Sequence, residues 1–268
     1  MPFRIVAGMI RMGRKYLIDH LSSKGVAHLT AELPRSLKEF EAKRVWTTGG
    51  GQYHRREFRF TQIVPHDDLL FDIIALAIDE RVHTILPQAL FLVLLKAVRL
   101  RFSHSGQLPD AFFPSQEQED VSIGAYPQLS SQAQLMCLRG LTKFTSLHRR
   151  QVFDWVEAIA IEDDEYGEDP TEYCQTSGLC RRTMGDIKEK LWLQDLNLSM
   201  IFIEEDKLAS FFRSHGWQID VCQACYRAAV ARTKELTKTM WKMLPAYFLT
   251  PEGKHGDLAW GDLKDFDG

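Results

Sequence analysis

The sequence lacks an apolar run long enough to cross a bilayer. Its greasiest stretch, 86–98, is interrupted by Pro87 and Lys96, and a span needs about 20 apolar residues. It also lacks the uncharged core of a signal peptide, because Arg4, Arg11, Arg14 and Lys15 break up the N-terminal segment. A membrane role is therefore not expected, and the cytoplasm or nucleus is the expected location. Charge of one sign is lacking too: 33 Lys and Arg face 36 Asp and Glu, a net charge of -3. That argues against a general nucleic-acid binder. Five cysteines in 268 residues are too few for a disulfide scaffold, and an odd number leaves one over, which suits a reducing compartment. The motifs of several large enzyme classes are missing as well. Gly49–Gly51 is not followed by the lysine and helix of a phosphate loop, and there is neither a G-x-S-x-G elbow nor an H-E-x-x-H pair. The carboxylates Glu162, Asp163, Asp164, Glu165, Glu168 and Asp169 crowd one short stretch. Acid–base work needs one carboxylate desolvated, and six charges together read as a solvated loop.

Convincing alternation of period two is scarce, whereas apolar spacings of three and four run through most of the chain. The expected fold class is all-α, a multi-helix array of helical hairpins with at most one small β-hairpin near residues 44–62. The first helix covers 3–21, with Ser22–Gly25 as its break and Gly25 near the C-cap. A second covers 26–33 and stops at Pro34. A third starts on Ser36, with Glu39 at the capping-box position. Gly49–Gly51 then stands between RVWTT and QYHRREFRF. A hairpin here would be the wing of a winged-helix regulator, with Arg55, Arg56 and Arg59 on phosphates. A surface loop with ordinary charges is the preferred reading, since basic and aromatic residues do not interleave beyond it. Helices over 69–83 and 86–101 form a core hairpin, with Pro87 in a first turn. Residues 103–131 read as a loop. Further helices are expected from Ser130 or Ser131 through 141, and over 145–161, 184–196, 204–212 and 225–244, the last closed by Pro245. The organisation is thus an N-terminal helical part (1–102), a loop (103–131), a C-terminal helical part (132–250) and a flexible tail (251–268).

The chemistry concentrates in Cys174-x5-Cys180 and Cys222-x2-Cys225. Two thiols spaced by two residues bind one ion with little strain, and Ser177-Gly178 lets the wider pair bend back. Cys174, Cys180, Cys222 and Cys225 are therefore candidate ligands of one structural zinc ion. The competing reading is four unconnected core thiols. His215 could replace one cysteine, although beside Gly216 it reads more simply as a helix-end residue. Cys137, flanked by Leu135, Met136 and Leu138, reads as core packing.

Four pieces occur in order: IRMGRKYLIDHLSSKGVAHLTAELPRSLKEF, ILPQALFLVLLKA, the two cysteine pairs, and MWKMLPAYF. Together they resemble the helical region that follows the BTB/POZ domain in a family of basidiomycete fungal proteins. Trp241, Leu244, Pro245 and Phe248 match the closing motif of that family in place. The resemblance implies a helical protein-interaction or adaptor region, without catalytic activity, that binds protein partners. The β-rich BTB core is not in this sequence, so the chain reads as the part after it, and dimerisation and cullin-ligase recruitment do not carry over. The alternatives are the winged-helix DNA-binding regulator and a zinc-dependent enzyme with an open metal position.

Overall fold

The computed structural model describes residues 1–48, 54–103, 129–144, 146, 174, 179–180, 182–183, 185–186, 222–250 and 258–266. The helices expected over 145–161, 184–196 and 204–212, the acidic run at 162–169, His215 and most of the 103–131 loop lie wholly or largely outside them. The elements are α1 (Phe3–Lys15), α2 (Asp19–Glu32), α3 (Leu37–Ala42), β1 (Arg44–Thr48), β2 (His54–Phe58), α4 (Leu69–Asp79), α5 (Leu86–Ser103), α6 (131–144), α7 (Gln223–Lys242) and α8 (Leu244–Leu249). The protein is mostly helical, and among the described residues no helix is long and apolar enough to cross a membrane. Two compact units result: Met1–Leu141 with Lys242–Gly268, and Thr142–Trp241. The end of the chain thus belongs with its beginning, a division that differs from the expected boundary at 103–131.

The first unit starts with a tight helix pair. The break between α1 and α2 falls at Tyr16–Ile18, with Leu17 at φ 54°, rather than at Ser22–Gly25. Those residues lie inside α2 because they make the crossing. A Cβ on Gly13 would sit 2.5 Å from the Ser22 nitrogen, and one on Gly25 would sit 2.6 Å from Ile10 Cγ1. Small residues let two backbones approach closely, and here that packing outweighs the glycine's modest cost inside a helix. Val6 and Ile10 of α1 and Leu29 of α2 are fully buried in the same unit.

Ser36 caps α3 as expected, its Oγ accepting from the Glu39 N–H at 3.4 Å. The next segment is not an irregular loop. Strands β1 and β2 pair antiparallel from Arg44 opposite Phe58 to Thr48 opposite His54. Arg59 N–H donates to the Lys43 carbonyl at 3.0 Å and extends the pairing. Phe58 stacks on Phe40 with centroids 5.5 Å apart, and Phe40 meets Phe91 of α5 at 6.2 Å. The hairpin is held by its base, through aromatic contacts that strand propensity alone does not supply.

Glu32, at the end of α2, is fully buried. Its carboxylate accepts from the N–H groups of Thr61 (2.8 Å), Gln62 and Ile63 (2.7 Å), and from Lys43 Nζ at 2.8 Å. Burial pushes its pKa up, but Lys43 and the three backbone N–H groups outweigh that and hold it below the ordinary value. One side chain thus satisfies the turn that follows the hairpin.

Helices α4 and α5 pack as the expected hairpin, and α8 lies against α5. Pro245 does not end the helical region; it occupies the first turn of α8, where no N–H is needed. Gly140 of α6 lets the buried Phe248 ring approach, since a Cβ there would fall 2.1 Å from Phe248 Cε1. Gly140→Ala should therefore cost about 1–3 kcal/mol by overpacking, despite alanine's better helix propensity. Chemical denaturation of the variant checks this, and unchanged stability would show that the ring can move aside.

The segment 258–266 is not loose. Asp265 accepts from the Thr84 N–H (2.9 Å) and from Thr84 Oγ1 (2.8 Å) just before α5. Phe266 N–H donates to the Arg81 carbonyl at 2.9 Å, and the Arg14 guanidinium lies over the Phe266 ring at 5.2 Å. A carboxylate from the far end of the sequence thus holds the turn that leads into a core helix, which no local pattern announces. Asp265→Ala should destabilise the first unit by about 1.5–3 kcal/mol, the range for hydrogen bonds to a charged group. A melting temperature within a degree of the parent would refute that role.

Candidate metal centre

Cys180 lies in a helical segment that includes Leu179, Arg182 and Thr183. Cys222 immediately precedes α7, and Cys225 lies in its first turn. The i, i+3 spacing at a helix start sets two thiols on one side of the turn. The positive end of the helix dipole favours negative charge at that place. Cys174 completes the group from nearly 50 residues earlier in sequence.

The four sulfur atoms of Cys174, Cys180, Cys222 and Cys225 all lie within 4.8 Å of one another. Cys174 and Cys222 are separated by 4.0 Å between sulfurs. A tetrahedral ion with bonds of about 2.3 Å holds its sulfurs ~3.8 Å apart, so the cluster could hold one metal ion. Cys180 and Cys225 are buried, the other two half-buried. None of the five cysteines, all of them among the described residues, is in a disulfide, and 4.0 Å is about twice a disulfide bond. The cluster already carries one contact of the kind that supports a ligating sulfur: the Cys222 N–H donates to Cys180 Sγ at 3.2 Å.

Burial pushes the Cys225 thiol well above its ordinary pKa, and its neighbours Cys174, Cys222 and Cys180 push it further in the same direction. Deprotonating thiols this close together is strongly opposed unless a cation supplies the counter-charge. Cys137 stands apart. It is buried in α6, its thiol pushed up to about 12 by burial alone, and it belongs to the core as expected, although Leu135 and Leu138 beside it are exposed.

The four cysteines of the two pairs therefore lie together, and the wider Cys174-x5-Cys180 pair does reach the C-x2-C pair. Sequence reasoning missed the buried carboxylate of Glu32, which gives no local signal because its partners lie 11 to 31 residues away. It also missed the second apolar face of α1, described below. In comparisons with known proteins, no family model, no curated protein and no solved structure matches the chain.

Proposed function

We propose that this protein is a non-enzymatic helical interaction scaffold whose second unit is stabilised by a structural zinc ion on Cys174, Cys180, Cys222 and Cys225. The observation that carries the proposal is the closed set of four sulfurs within 4.8 Å. Four protein ligands complete a tetrahedral shell and leave no position for water or substrate, which is the mark of a structural rather than a catalytic zinc site. That weighs against the zinc-dependent enzyme. The zinc identity follows from donor softness, since all-thiolate tetrahedral sites suit zinc or iron rather than hard cations. The adaptor character follows the resemblance to the region after the fungal BTB domain. It is supported by the burial of Trp241, Leu244, Pro245 and Phe248, the four closing-motif residues.

The winged-helix alternative gains one observation, the order of three helices followed by a paired hairpin. It loses more on α3, which would have to enter a groove: that helix has six residues and sets Glu39 and Glu41 against Lys38. Carboxylates there repel phosphates.

Metal analysis of protein purified without chelator tests the zinc reading. About one zinc per chain is expected. Cys222→Ser should lose the metal, while Cys137→Ser should retain it. Metal-free protein, or one iron per chain with the visible absorption of iron–thiolate, would overturn the assignment to zinc.

A further inference from the structure

Helix α1 carries apolar residues on two faces. Val6, Ala7, Ile10 and Gly13 are buried in the first unit. Ile5, Met9, Met12 and Tyr16 are spaced by four, three and four, which is the a/d pattern of a coiled-coil seam. That second stripe faces outward: Ile5, Met12 and Tyr16 are 47%, 48% and 55% exposed, and Met9 is partly so. The seam is about 16 Å long at 1.5 Å per residue, three helical turns. Gly8 beside it has open space where a Cβ would be, so another backbone can come close.

The charges that α1 itself carries are of one sign. The helix contains Arg4, Arg11, Arg14 and Lys15 and no acidic residue, in a chain whose net charge is -3. Arg14 is held by Glu80, and Arg11 reaches the same carboxylate only at 3.7 Å. Arg4, Arg11 and Lys15 are exposed along the edge that adjoins Gly8.

We propose that this face of α1 docks an acidic amphipathic helix of a partner protein, with its apolar residues on the Ile5–Tyr16 seam and its carboxylates on Arg4, Arg11 and Lys15. Two features select that occupant. An antiparallel second copy would set basic edges against each other, which like-charge repulsion opposes, and a parallel copy would bring them no carboxylate, since α1 has none. A lipid surface calls for a broad apolar face, whereas a strict a/d stripe is the narrower seam that another helix fills. The inference deepens the interaction reading by naming its surface and the partner's chemistry.

The test uses the full chain and a fluorescent 21-residue helical peptide with Leu at a and d and Glu at e and g. Its controls are a Lys counterpart, a scrambled peptide and phosphatidylserine vesicles. The Glu peptide should bind in preference to the Lys and scrambled peptides, and more weakly as salt rises. Met12→Asp should weaken binding about tenfold or more, as removal of a central interface anchor does. Arg4→Glu with Lys15→Glu should reverse the preference toward the Lys peptide. These residues are exposed, so melting temperature and zinc content of the variants should match the parent. Equal binding of all three peptides, indifference to Met12→Asp, binding to vesicles alone, or a dimer dissolved by Met12→Asp would each overturn the proposal. Loss of peptide binding in protein that still holds zinc removes the seam and leaves the metal centre standing. Absence of zinc with the peptide bound does the reverse.

Discussion

A chelator strong enough to strip the four-cysteine centre should lower the melting temperature of the second unit more than any single substitution in this chain. Metal held only in the folded state contributes its binding free energy to folding, and structural zinc in small peptides is worth about 10–16 kcal/mol. The share realised here is smaller, because α7 also buries Ala229, Val230, Leu236, Met240 and Trp241. Those side chains persist when the ion leaves. The cluster joins Cys174 and Cys180 to the start of α7, so hydrogen exchange should accelerate first around 174–186 and 222–226. Amides of α1, α2, α4 and α5 should respond later or not at all, since they belong to the other compact unit. Re-addition of zinc should restore the original melting temperature. A chelated protein that melts with the parent would reduce the cluster to buried thiols.

Glu32→Ala should destabilise the first unit by about 3–5 kcal/mol, the usual cost of removing one partner from a buried ion pair. The substitution takes the carboxylate from Lys43, whose side chain is only 14% exposed and keeps the Thr61 hydroxyl at 2.9 Å, and it strands the N–H groups of Thr61 and Ile63. Buried donors without acceptors bear their full desolvation penalty. Glu32→Gln keeps one acceptor oxygen and should cost less. The same carboxylate makes stability depend on pH. Its folded pKa lies below the ordinary value of 4.5, so the unfolded chain binds the proton more readily. Its contribution is complete above about pH 4.5 and declines as pH falls from there through the folded pKa. Unfolding free energies measured between pH 3 and 7 should show that decline in the parent and a shallower one in Glu32→Gln. Parallel curves would mean that other carboxylates dominate acid unfolding.

Much of this architecture was legible in the order of residues. Spacings of three and four announced the helices, Ser36 and Glu39 marked the start of α3, and the two cysteine pairs pointed to the four sulfurs that converge. These signals are local: backbone hydrogen bonds within a helix, a cap and a two-residue loop between thiols are all decided by near neighbours.

What the sequence determined alone, then, is the helical class, the places of α3, α4 and α5 among the described residues, and the membership of the sulfur cluster. Tertiary packing decided the rest. Gly25 looked like a helix end because glycine usually costs a helix stability, yet it lies inside α2 since only a missing Cβ admits Ile10. Residues 258–266 looked loose because they are polar and rich in glycine and aspartate, yet Asp265 is held by Thr84, far away along the chain. Helix α1 offered apolar residues on two faces, and only its packing against α2 determined that Ile10 is buried while Met12 meets solvent. In each case a distant partner supplies the deciding energy, and a window of neighbouring residues contains no trace of that partner.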